Sequence, residues 1–245
     1  MDSFHILSVF HSDDGYTIGL KLWQMSSVFN SSIFHPLHDP DLFISLHPPF
    51  ASEYFPEPIE AMCDMLPLDN IRVVIFQDCS LSLSDHEWKF LFETNCQQVS
   101  SIFVGNQSDA HGLCEAMRPS DNKAIQEEDG QERASMQAQV FLPDLELLEV
   151  ESVDFRPYSS SSGEVLETGQ LYVDTFTQRR MMGKPISTIR LGKGCVIDAA
   201  RLDALKAVIH VECDPDAIEE IPKAPHGLPE GVVYPDYIMN PEQEE

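Results

Sequence analysis

Ile71-Arg72-Val73-Val74-Ile75-Phe76-Gln77-Asp78-Cys79-Ser80-Leu81 is the stretch that decides how this chain folds. Apolar residues stand at 71, 74, 76 and 81, and the small Cys79 falls between the last two. The stretch therefore fits L-x-x-L-x-L-x-x-N/C-x-L at every specified position. Alternation over Val74 to Phe76 sends one set of side chains to a single face of a strand, and the small polar slot turns the chain away at its end. One such strand cannot bury its own face, so the pattern calls for neighbours that repeat it.

The neighbours are present in weaker form. Val99-Ser100-Ser101-Ile102-Phe103-Val104 keeps the spacing, with Gln107 in the polar slot. Leu145, Leu148, Val150, Val153 and Phe155 recur in the same frame, with Val153 where a polar residue belongs. Ile186 to Leu191 and Val208 to Cys213 supply two further strands. The centres Val74, Ile102, Leu148, Ile189 and Val211 are 28, 46, 41 and 22 residues apart. The outer two steps fall near the roughly 20–29 residues of leucine-rich repeats.

Helices are expected between these strands. Ser84-Asp85-His86-Glu87 is a capping box that opens a helix carrying Trp88, Leu91 and Phe92 on one side. Others are predicted over 58–66, 109–117, 166–182 and 198–207. Tyr172, Val173 and Phe176 are the expected buried residues of the third of these, and Gly183 and Pro185 its stop signals. Upstream, alternating residues over 4–10 and 16–23 flank Ser12-Asp13-Asp14-Gly15, a hairpin signature, and 42–46 is a further short strand.

The fold class that follows is α/β: a short, irregular leucine-rich-repeat-like solenoid with a curved parallel sheet backed by helices, plus an N-terminal β-hairpin. Residues 1–50 form the hairpin and capping region, and 51–213 the repeats. A polar, acidic insert without apolar period lies at 120–139. An acidic, proline-rich tail, expected to be disordered, occupies 214–245.

Composition excludes several functions. The 245 residues are 42% hydrophobic, enough for a substantial core. A net charge of −26, from 41 acidic and 15 basic residues, argues against nucleic acid, whose binding draws on Lys and Arg displacing counterions. It also disfavours anionic lipid surfaces. No apolar run approaches the roughly 18 residues of a membrane span, and the N-terminus lacks a basic region ahead of an apolar one, so the expected address is cytoplasmic or nuclear. The six cysteines never form C-x-x-C and are expected to be reduced and buried.

The order of these elements resembles a known family. The motifs are the hairpin, the Asp78-Cys79 strand, the Trp88-Lys89-Phe90-Leu91 helix, and Leu113 with Met117-Arg118-Pro119. Leu142-Pro143-Asp144-Leu145, the long helix ending Arg179-Arg180, and Ile186 to Leu191 followed by Ile197-Asp198 and Leu205 continue the series. Together they are similar to the C-terminal half of the F-box/leucine-rich-repeat proteins of mushroom-forming fungi, over nearly all of residues 1–213. The resemblance implies a non-catalytic protein-interaction module, the substrate-recognition region of a ubiquitin-ligase subunit. In that family an F-box docks on a Skp1 adaptor. No Leu-Pro-x-Glu-type three-helix F-box precedes the hairpin, so an adaptor is expected only where an F-box lies upstream. A stand-alone scaffold and an enzyme of unrecognised type are the alternatives.

The expected recognition surface is the strand face, whose solvent-facing positions include Ser101, Glu149, Thr188 and Arg190. A second feature is the clustering of Arg179, Arg180, Lys184, Arg190, Lys193, Arg201 and Lys206, seven of 15 basic residues within 28 positions. The first five form the candidate partner-binding set, receiving an acidic or phosphorylated segment through guanidinium pairing. Two rival readings are an acidic tail folding back on them, and Arg179 and Arg180 compensating a helix dipole. His35, His38, Asp39 and Asp41 match no standard zinc spacing, and Gly192-Lys193-Gly194 lacks the frame of a phosphate loop, so neither metal nor cofactor is expected.

Overall fold

A computed structural model describes residues 4–11, 18–24, 39–46, 66, 68–77, 83–92, 96–118, 140–159 and 165–213. They form a mixed α/β structure with one eight-stranded, mostly parallel sheet and four helices. The strands are β1 (Ile6–His11), β2 (Ile18–Trp23), β3 (Leu42–Leu46), β4 (Val73–Gln77), β5 (Ser101–Val104), β6 (Leu147–Val150), β7 (Pro157–Ser159), β8 (Val165–Glu167), β9 (Thr188–Leu191) and β10 (His210–Cys213). The helices are α1 (Asp85–Phe92), α2 (Gln107–Met117), α3 (Thr168–Met181) and α4 (Ala199–Val208).

The sheet order is β10-β9-β6-β5-β4-β1-β2-β3. Its five parallel pairings run from β1 to β10, and two antiparallel pairings add β2 and β3 beyond β1. The predicted hairpin is thus hydrogen-bonded to β4 in the same sheet. The helix predicted over 58–66 lies outside the described residues except for Leu66, and the insert at 120–139 and the tail at 214–245 lie wholly outside them.

One backbone step recurs along the parallel strands. The Arg72 carbonyl accepts from the Ser100 and Ser101 amides, the Ser100 carbonyl from Glu146 and Leu147, and the Glu146 carbonyl from Ser187 and Thr188, all at 2.8–3.0 Å. At the other strand ends, Gly105, Glu151 and Gly192 donate to Phe76, Val104 and Val150. The residue opening each unit, Ile71, Val99, Leu145 or Ile186, is buried. Unlike side chains therefore occupy equivalent backbone positions, because the apolar positions behind them set the register.

Strand alternation divides the sheet into two faces. Val74 and Phe76, Ile102 and Val104, Leu148 and Val150, and Ile189 and Leu191 point into the main core, which all four helices share. Phe76 packs against Trp88 at 4.4 Å and Phe92 at 5.8 Å between ring centroids, so α1 covers β4 as its apolar spacing predicts. The capping box forms as read: the Ser84 amide donates to Glu87 Oε2 at 2.7 Å, and the Glu87 amide to Ser84 Oγ at 3.3 Å.

Successive helices are stitched together by buried polar groups. Asp109 of α2 accepts from the Leu83 amide at 2.9 Å, just ahead of α1. A Cβ on Gly112 would stand 1.9 Å from the Leu83 carbonyl oxygen, so only glycine permits this approach. The Tyr172 hydroxyl of α3 donates to the Ala110 carbonyl at 3.1 Å. Gln107, standing in the polar slot of its unit, accepts from the Asp154 amide at 2.6 Å and donates to Thr168 Oγ1 at 3.2 Å.

Two expectations fail locally. The loop predicted from Ser159 is entered by strand β7, which pairs antiparallel with β8 across 160–164, so α3 begins at Thr168 rather than 166. Three-residue strands are too short to show an alternation, and only the pairing defines them. Glu149, expected to be solvated, is buried on the sheet face opposite the helices. Among the described residues no helix is long and apolar enough to cross a membrane.

Candidate functional site

The sheet face opposite the four described helices changes character along its width. One register row reads Glu212, Arg190, Glu149, Phe103, Ile75, Ser8, Lys21 and Phe43, from β10 to β3. Ile75 and Phe103 join Ile6 and Trp23 in a second buried apolar cluster made only of strand residues. Toward β10 the row becomes charged. Arg190 Nη1 donates to Glu149 at 2.9 Å, and its Nε and Nη2 donate to Glu212 at 2.9 and 2.8 Å. One cation thus ties three adjacent strands. Burial raises the Glu149 pKa, against the lowering effect of the Arg190 bond. For Arg190 burial acts downward, but its bonds to the two carboxylates outweigh it and raise its pKa. His210 Nε2 stands 3.7 Å from Glu212, at the exposed margin of the network.

The five basic residues expected to form one partner-binding set do not come together. Arg179 is a correction. It is fully buried, donating from Nη1 to the Phe141 carbonyl at 2.6 Å and from Nη2 to the Leu142 carbonyl at 2.8 Å. Its Nε has no partner among the described residues, and burial lowers its pKa to about 10. The signal was in the helical phase: Tyr172, Thr175, Phe176 and Arg179 fall at i, i+3, i+4 and i+7, all on the face turned to the core. Arg190 belongs to the network on the face opposite the four described helices. Lys193 is exposed in the turn after β9, at the opposite strand end from Arg180. Lys184 follows the helix stop and faces Asp144 at 3.8 Å.

The end of α3 places Arg180 and Lys184. Gly183, at φ +73°, donates to the Arg180 carbonyl at 3.1 Å, and the Lys184 amide donates to the Arg179 carbonyl at 3.0 Å. This nested pair closes the helix and leaves Arg180 on the surface. There it borders a groove of about 570 Å³ that runs under the last turns of α3 and α4 to the start of β9 and β10. Lys206 of α4 is on the same rim, a residue left outside the five. Arg201 is engaged with Asp198, the N-cap of its own helix.

The remaining candidates have structural occupations. Asp41 accepts from the Gln24 amide at 2.8 Å, and Asp39 is exposed, whereas His35 and His38 lie outside the described residues. No group of three metal-ligating side chains gathers among the described residues. Cys114 donates to Thr175 Oγ1 at 3.4 Å, and Cys195 to the Val150 carbonyl at 3.3 Å. Burial raises their pKa values to about 12 and about 11, which keeps both as thiols.

No protein-family model, no curated protein and no solved structure matches this chain.

Proposed function

We propose that this chain is a protein-recognition module built on leucine-rich-repeat-like stacking, and that its accessible recognition surface is the β9–β10 end of the sheet. The observation that carries the reading is the recurring carbonyl step Arg72, Ser100, Glu146, Ser187, with an apolar residue behind each. Repeats of this kind fix a row of strand positions while leaving their side chains free to vary, the property a recognition surface needs. The middle of the face opposite the four helices is buried, and its exposed groups stand at the two ends of the row, Phe43 at one and His210 with Glu212 at the other, where the Arg190 network adds charge.

The experiment is site-specific photocrosslinking in cells. A photoreactive residue at Thr188 or Glu212 should give discrete adducts, and one at Lys89 on the outer side of α1 should not. Equal labelling from both sides, or none from the sheet side, refutes the reading. The link to a ubiquitin ligase is a separate part of the proposal, supported by the family resemblance alone. Recovery of a Skp1 adaptor with the full product of the locus supports that link; a full product that recovers none favours the free-standing scaffold.

A further inference from the structure

We propose that the outer edge of β10, with the groove rimmed by Arg180 and Lys206, receives an extended, carboxylate-rich peptide of another protein as a ninth strand. This rests on the protein-recognition reading and names the chemistry of the partner.

The backbone geometry comes first. β10 is the last strand of its sheet among the described residues, and it pairs parallel with β9 in the register His210 to Thr188. The His210 amide donates to the Ser187 carbonyl at 3.3 Å. In a parallel ladder alternate residues bond to one neighbour, so His210 and Glu212 turn their amides and carbonyls toward β9. Val211 and Cys213 then turn theirs outward, as an edge that an added strand can use.

The groove supplies side-chain selectivity beside that edge. Ile186, Ile209 and Val211 give it apolar walls, and Arg180, Lys206 and His210 its polar rim. Arg180 and Lys206 are exposed, and neither forms an ion pair among the described residues, in a chain of net charge −26. Each stands in the last turn of its helix, where the dipole contributes about half a negative charge. Two full cations against two half charges leave the rim positive. Met181 beside the rim is 81% exposed, an adaptable apolar contact of the kind enriched in interfaces. Farther along the strand, Glu212 and Glu149 outnumber Arg190. The peptide's carboxylates therefore belong at its groove end, with neutral residues beside Glu212.

The test is fluorescence anisotropy with the full chain and a labelled peptide carrying an Asp block at one end and alternating Thr and Val at the other. Binding is expected, with none for the same peptide carrying Asn in the block. The double variant Arg180→Glu/Lys206→Glu should weaken it by about tenfold or more, and Lys206→Arg should preserve it. Val211→Pro removes an outward amide and should abolish binding. If that variant loses its fold, the Asp-block peptide N-methylated at alternate residues carries the same test on the unaltered chain. No binding by the wild type, unchanged affinity in the double variant, or full binding of the N-methylated peptide overturns the proposal. So does binding confined to a phosphoserine-block peptide. Sheet-side crosslinks that persist alongside such a failure would retain the recognition module and remove only this occupant.

Discussion

Replacing Arg179 tests how a buried cation without a carboxylate is tolerated. Its two bonds to the Phe141 and Leu142 carbonyls are charge-assisted, worth about 1.5–3 kcal/mol each. Against them stands the cost of burying the charge: a pKa lowered from 12.5 to about 10 corresponds to roughly 3 kcal/mol. The bonds should therefore win by a small margin. Arg179→Met keeps most of the side-chain packing and removes the charge. The Leu142 carbonyl then still accepts from the Leu145 amide at 3.2 Å, but the Phe141 carbonyl loses the donor seen here. We expect Arg179→Met to lose about 1–3 kcal/mol, the cost of one bare buried acceptor. Arg179→Ala also leaves a cavity and should lose about 3–5 kcal/mol in total. Urea titrations followed by circular dichroism give both values when the m-values agree with the wild type. A Met variant as stable as the wild type would mean that desolvation cancels the two bonds. An Ala variant no worse than Met would mean that the site collapses around the missing stem.

Asn106→Ala removes the N-cap acceptor of α2 and a donor to buried Asp109, so thermal unfolding should show a loss of about 1–2 kcal/mol. Gly112→Ala should cost more, roughly 2–4 kcal/mol, because its Cβ meets the Leu83 carbonyl and forces α1 away from α2; an unchanged melting temperature would refute that close approach. Glu149→Gln should change the pH dependence of stability. The native carboxyl has a raised pKa, so the folded state holds its proton longer than the unfolded one, and this group makes stability fall as pH rises above about 4.5. The variant should gain on the wild type as pH rises from about 4.5 through the raised pKa of the folded state. Asp154 and Asp198 act oppositely. For each, burial acts upward, but bonds to Arg156 or Arg201 outweigh it and lower the pKa. Their stabilisation is present above the unfolded carboxyl value and lost on acidification, so Asp198→Asn should flatten the acid limb of a pH titration.

The parallel strands were legible because all but β10 are buried on their helix side, and even there Val211 and Cys213 are partly buried, so an apolar pair two apart marks each strand whatever fills the remaining positions. Helix boundaries were legible where local chemistry sets them, as at Ser84 with Glu87 and at Gly183. The hairpin of β7 and β8 was hidden because its strands are three residues long and flank a serine run. The candidate site was harder to read. Clustering along the chain placed Arg179 beside Arg180, yet neighbours on a helix point about 100° apart, and one turned inward. Glu149 looked solvent-facing because strand alternation says which face a residue takes and nothing about what covers that face. The pairing of Arg180 with Lys206 depends on two helices ending over one groove, which spacing along the chain does not encode.

The recurring carbonyl step also governs how this molecule comes apart. In the sheet each strand is hydrogen-bonded only to its immediate neighbours, so pairings can be lost from an end. Opening at β10 releases one strand and α4, whereas opening at β5 must break both of its pairings. Amide exchange should therefore be fastest in β10, slower in β9, and slowest near β4 and β5. A frayed last rung would then be a normal excursion of the folded chain, and a peptide seated beside it would act as a clasp on the whole row.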